Sequence, residues 1–311
     1  MTVMKKRLIC ALAICLLVAT ASKAQQSSVE LSSERGDKNC VDILAKVSGA
    51  GSYTVMLNFS ELGNCTESKV RSIIVNSTGP ILRLRPVDPE KPINYRYSYR
   101  YVQGVINPPK VDSLFVYRLP FSTSADREAR FLYNISNRIF GSDNTVRWKS
   151  FQFITNPADT VFAARKGVVV SVEDKHDPLA GVGRVSMNSD NNRVVVEHAD
   201  GTFARYGVLQ QGSIMVREGD TVYPDTPMAL AGSLDGEVYQ IRFDVYYKVD
   251  NRSDNPKWAD YLTSDVFIDP VFATAAGNTR LAEYRIYSPE VSEELVIREM
   301  TKKEIKRVKQ E

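Results

Sequence analysis

The chain has 311 residues, with 40 Lys and Arg against 37 Asp and Glu for a formal net charge of +3, and 43% of its residues are hydrophobic. That length accommodates two domains, and that composition is globular, which excludes a disordered or fibrous chain. Only two histidines are present, so imidazole-based metal or acid–base chemistry has very little to work with.

Residues 1–24 read as a signal peptide. Lys5, Lys6 and Arg7 form a basic start, residues 8–20 are an apolar run too short to span a bilayer, and Ser22 and Ala24 set a small-residue cleavage site before Gln25. The bulky Ile14 before Cys15 argues against lipidation. Cleavage removes four of the 40 basic residues and no acid, leaving 36 against 37, a net charge of −1. The basic excess therefore belongs to the targeting segment and gives no support for nucleic-acid binding. The expectation is an exported protein, periplasmic or extracellular, with no integral membrane segment after signal removal. Cys40 and Cys65 remain, and an isolated pair in an exported chain predicts a disulfide. Its loop of about 24 residues would contribute on the order of 3 kcal/mol.

Residues 27–121 carry short runs of β-branched and aromatic residues separated by Gly and Pro turns, which predicts a β-sandwich-like domain. Tyr95, Tyr97, Tyr99 and Tyr101 alternate with Arg96, Ser98 and Arg100, so all four rings share one strand face. That face is read as a packing surface; a stacking platform for sugars, and so a carbohydrate-binding module, is the alternative. Residues 122–147 read as a linker, either an amphipathic helix through Phe131, Leu132, Ile135 and Ile139 or a strand-rich connection. Strand signals return over residues 148–272, with a hairpin turn at Asp200-Gly201. Residues 273–311 are predicted to be a helical tail, with Ser288-Pro289 as a helix start and Thr301 and Glu304 as a capping box.

Six segments of the second region form an ordered series: TVFAARKGVV at 160–169, VVVEHADG at 194–201, RYGVL at 205–209, VREGDTV at 216–222, MALAG at 228–232 and QIRFDV at 240–245. The series resembles the core of lysostaphin-type (LytM-like) peptidoglycan metallopeptidases, which implies an antiparallel β-sheet core. Active members of that family hold a zinc ion. The resemblance implies that their ligand positions are occupied here by Trp148, Gln152 and Arg242, and their proton-transfer positions by Val208 and Gln240. A neutral amide, a permanently charged guanidinium, an indole and an isopropyl group are all poor zinc donors.

Residues 240, 242 and 244 share one strand face and 241, 243 and 245 the other, so Gln240 and Arg242 point together into the groove opposite a buried Ile241, Phe243 and Val245. His198 sits in the hairpin at a position resembling a structural histidine of the family, and His176 lies in a loop; their spacing forms no recognised metal motif. No G-x-S-x-G elbow is present.

The expectation is a catalytically degenerate, non-catalytic envelope protein without cofactor or catalytic residues. It would bind a peptidoglycan fragment or a cell-envelope protein, or regulate a cell-wall hydrolase, through a groove of Trp148, Gln152, Val208, Gln240 and Arg242. An active zinc endopeptidase is the alternative, and requires all five positions to be misaligned.

Overall fold

A computed structural model describes residues 28–132, 149–176, 191–250 and 263–308. The signal segment and Trp148 lie outside the described residues. The chain is mainly β, with antiparallel sheets and two short helices near its C-terminal end.

The first unit is a sandwich of two three-stranded sheets. One has β1 (Ser28–Arg35), β2 (Val41–Ser48) and β5 (Gly79–Leu84) in the order β1-β2-β5; the other has β3 (Tyr53–Gly63), β4 (Val70–Val75) and β6 (Asn94–Gln103) in the order β4-β3-β6. Strand alternation puts Val41, Ile43 and Ala45 of β2 against Tyr53, Val55, Leu57 and Phe59 of β3 in one buried cluster. The tyrosine face of β6 turns inward: Tyr95, Tyr97 and Tyr99 pack on this core. Tyr95 donates to Ser33 Oγ at 2.9 Å, and Tyr99 Oη accepts from Leu31 N at 3.3 Å. Tyr101 is the exposed end of the row.

Cys40 and Cys65 are both free thiols, so the expected disulfide is not formed. The two side chains have different surroundings. Cys40 lies beside Arg83, whereas Cys65 is bridged through its backbone to Pro86 and packs against the sandwich core.

The remaining strands are β7 (Val116–Arg118), β8 (Arg127–Phe131), β9 (Phe151–Ile154), β10 (Thr160–Phe162), β11 (Gly167–Glu173), β12 (Arg193–Glu197), β13 (Phe203–Gly207), β14 (Thr221–Val222), β15 (Pro227–Leu230), β16 (Gly232–Ser233), β17 (Tyr239–Asp250), β18 (Thr263–Ile268), β19 (Val271–Thr274), β20 (Gly277–Thr279) and β21 (Arg285–Tyr287). Ten of them form a sheet whose main path runs β14-β11-β12-β13-β17-β9-β8-β21. The long β17 organises it. β13 and β16 share one of its edges, β9 and β18 the other. Its inward side chains Ile241, Phe243 and Val245 are fully buried with Phe151, Phe153, Val194, Val196 and Tyr206, as the alternation in the sequence requires.

Three boundaries differ from the sequence reading. Phe115, Tyr117, Leu119 and Phe121, assigned to the first domain, insert into the core of the second, and β7 pairs in parallel with β19. Residues 127–131 of the expected linker are strand β8, hydrogen-bonded between β9 and β21, because Ala129 and Phe131 face apolar partners across the sheet; residues 133–147 lie outside the described residues. The C-terminal segment starts with strands rather than helix. Pro289 makes a bridge to Thr274, and the helices are α1 (Glu293–Ile297), capped by Ser292, and α2 (Lys302–Val308). The Thr301–Glu304 capping box is formed, each backbone N–H donating to the other residue's side chain. No helix among the described residues is long and apolar enough to cross a membrane.

The C-terminal helices are held by a charged clasp. Arg165 is almost fully buried; it pairs with Asp200 at 2.9 Å and forks onto Glu299 at 2.7 and 3.0 Å while stacking on Phe115. Lys166 donates to Glu304 at 2.9 Å, and Tyr223 donates to the same carboxylate at 2.7 Å.

The sandwich docks on the face of the large sheet opposite its main core. Val170, Val195, Phe203 and Tyr246 form a separate apolar patch there. Ser52 bonds to Glu197, Gln103 donates to Val170 O at 3.0 Å, and Asn107 N donates to Lys248 O at 2.8 Å. Gly51 and Gly104 make the close approach possible. Both have left-handed φ angles, of 82° and 97°, and a Cβ on either would run into Glu197 and Val170 or into the Phe203 ring.

Candidate functional site

The outward face of β17 carries Gln240, Arg242, Asp244 and Tyr246 in succession. Register fixes their neighbours. Arg242 lies directly opposite Gln152 on β9 and, across its other edge, opposite Gly207 on β13. Gln240 is opposite Gly232 of β16.

Three of the expected groove residues therefore meet. Gln152 Nε2 donates to Gln240 Oε1 at 2.6 Å, and Arg242 Nε donates to the same oxygen at 3.3 Å. Val208 is adjacent, in the turn out of β13, but its side chain is buried and it offers only backbone. Its N–H donates to Asn191 Oδ1 at 2.9 Å and its carbonyl accepts from Gly232 N at 2.8 Å. With φ at 61°, Val208 is a β-branched residue in the left-handed region, a conformation that costs on the order of 1–3 kcal/mol and persists because its neighbours impose it.

Arg242 is mostly withdrawn from solvent, and burial alone lowers its pKa; no carboxylate raises it in return. Asp244, the internal partner one would expect two residues on, is already engaged. Arg205 Nε donates to its Oδ1 at 3.0 Å, and Nη2 lies in ion-pair contact with the same oxygen at 3.0 Å. Burial pushes Asp244 up to about 6 against the pull of Arg205. Among the described residues Arg242 thus has one long amide contact and no counter-ion.

The side chains present do not fit a zinc ion. Two amides and a guanidinium supply no anionic or imidazole donor, and no three His, Cys, Asp or Glu side chains converge among the described residues. The two histidines are elsewhere. His198 is buried, donates from Nδ1 to Lys166 O at 2.8 Å, and is kept neutral chiefly by burial and then by the Arg165 charge. His176 bonds to Glu173 Oε1 at 3.0 Å.

Sequence reasoning missed Asn191, whose amide lies against Gly207: a Cβ there would sit 2.9 Å from Asn191 Oδ1. A glycine inside a strand, as in Arg205-Tyr206-Gly207, was the available sign of a close approach. Also missed was the row along this side of the sheet in which Arg193, paired with Glu173 at 2.6 Å, precedes Gly207 and Arg242.

No family profile and no curated protein matches the chain. Solved structures do. A putative glycyl-glycine endopeptidase LytM from Ruminococcus gnavus is similar at 12% identity over 50% of this chain and 56% of that one, with a TM-score of 0.30. The catalytic domain of the prophage-encoded M23 protein EnpA from Enterococcus faecalis, in a mutant form, is similar at 14% identity over 50% of this chain and 92% of that one, with a TM-score of 0.26. A zinc-containing peptidase from Vibrio cholerae is similar at 15% identity over 78% of this chain and 84% of that one, with a TM-score of 0.26. The chain thus spans little more than half the length of the Ruminococcus protein, and its neighbours among solved structures include M23 peptidases at low sequence identity.

Proposed function

We propose that this chain is an exported cell-envelope protein that binds peptide portions of peptidoglycan in a peptidase-like groove without cleaving them. The observation that carries the reading is Arg242, a half-buried guanidinium without a counter-ion among the described residues, flanked by Gln152 and Gln240. A desolvated cation is costly until an anion meets it, and peptidoglycan peptides carry carboxylates. The ordered resemblance to lysostaphin-type peptidases supports the polymer as the ligand. The chemistry of the Gln152, Gln240 and Arg242 donor set argues against the hydrolysis.

The test uses the mature protein with isolated sacculi and added zinc. Co-sedimentation with sacculi, no release of soluble fragments and no tightly held zinc are expected. One equivalent of retained zinc together with turnover would overturn the reading, as would failure to bind sacculi.

A further inference from the structure

The hydrogen bonds within the groove fix what each side chain still offers. Gln240 Oε1 is consumed, accepting from both Gln152 Nε2 and Arg242 Nε. That orients the two amides oppositely. Gln240 presents its Nε2 as a donor, while Gln152 presents its Oε1 as an acceptor. Arg242 keeps both Nη groups for a ligand, since Nε is the only one of its nitrogens in a hydrogen bond among the described residues. Gly207, opposite Arg242, places no side chain over the guanidinium on that edge.

The array is therefore not a simple anion site. It pairs a forked cationic donor and an amide donor with one neutral acceptor. A fully ionised tetrahedral oxyanion such as sulfate satisfies the donors but sets its own lone pairs against Gln152 Oε1. An internal peptide bond has an N–H for Gln152 but no charge for Arg242. A planar carboxylate with a neighbouring amide N–H satisfies both, and that combination is the last residue of a peptide.

We infer, resting on the proposed function above, that Gln152, Gln240 and Arg242 recognise the free C-terminal end of a peptide. The α-carboxylate lies on the Nη groups of Arg242 and on Gln240 Nε2, and the last peptide N–H donates to Gln152 Oε1. The ligand is then a peptide end, such as an unlinked or already cleaved stem, rather than an intact cross-link.

The test is calorimetric titration of the full mature protein with N-acetyl-alanyl-alanine, with the same dipeptide as its C-terminal amide, and with sulfate. The free acid should bind about ten- to a hundredfold more tightly than the amide, the range set by one charge-assisted contact, and sulfate should not compete. Arg242→Gln should bring the acid down to the amide's affinity, and Arg242→Lys, which keeps charge without the fork, should fall between. Equal binding of acid and amide by the wild type overturns the inference without recourse to any variant. So does undiminished acid binding by Arg242→Gln, competition by sulfate, or absence of dipeptide binding. If sacculi are still bound in any of these cases, only this inference fails; if they are not, the proposed function fails with it.

Discussion

Ser52 and Glu197 lie 145 positions apart in the chain and form the polar centre of the contact between its two β-units: the Ser52 N–H donates to Glu197 Oε2 at 2.8 Å, and its hydroxyl donates to Oε1. Glu197 is itself largely buried, so these donors take the place of water at its carboxyl oxygens. Glu197→Ala should cost about 2 kcal/mol, because it leaves the Ser52 N–H without its acceptor. Chemical denaturation checks the stability, and limited proteolysis should show faster cutting between the units.

The glycines beside this contact make a second test. Gly51→Ala and Gly104→Ala each add a methyl group where the backbone is left-handed and the space is filled. Each should lose about 1–3 kcal/mol. Gly219→Ala shares the left-handed φ, at 95°, but meets nothing within 4 Å, so it should lose only the conformational part.

Asp244 gives a pH prediction. Its pKa is raised by burial to about 6 from a usual value of 3.8. The folded chain therefore holds this proton over a window in which the unfolded chain has released it. Stability from this group is fully present below about pH 4, falls as pH rises from about 4 to about 6, and is level above that; the span is about 3 kcal/mol at most. Urea titrations across that window should show the fall in the wild type and its loss in Asp244→Asn.

Arg242→Met should separate stability from binding. Removing a partly desolvated cation that has no counter-ion among the described residues, while keeping a side chain of similar length, should raise stability by about 0.5–2 kcal/mol. The same variant should no longer sediment with sacculi. A stability loss beyond about 1 kcal/mol would show that the guanidinium is structural.

Much of this arrangement was legible in local pattern. The period-two alternation of Ile241, Phe243 and Val245 determined which face of β17 is buried, and with it the shared direction of Gln240 and Arg242. The tyrosines of β6 obeyed the same rule, and the capping box at Thr301 and Glu304 formed as written. What escaped was non-local. Residues 127–131 were assigned to a linker, and pairing of Ala129 and Phe131 with Phe153 and Phe151, at least 20 positions away, makes them a strand of the large sheet. Ser288-Pro289 has the composition of a helix start, yet Ser292 is the cap, its Oγ accepting from Leu295 N at 3.2 Å. In the groove, the counter-ion status of Arg242 could not be read without knowing that Arg205 lies opposite Asp244.

The charged clasp at Arg165 has a consequence for the order of assembly. Arg165 lies in the first half of the large domain, is almost fully buried, and donates two of its hydrogen bonds to Glu299. Until residues around Glu299 exist, that guanidinium has, among the described residues, only Asp200 as a charged partner and resists burial. Strands β19 and β21 likewise complete β7 and β8 from the far end of the chain. The large domain therefore cannot close vectorially as it emerges from a ribosome. It stays open until most of the polypeptide has been made.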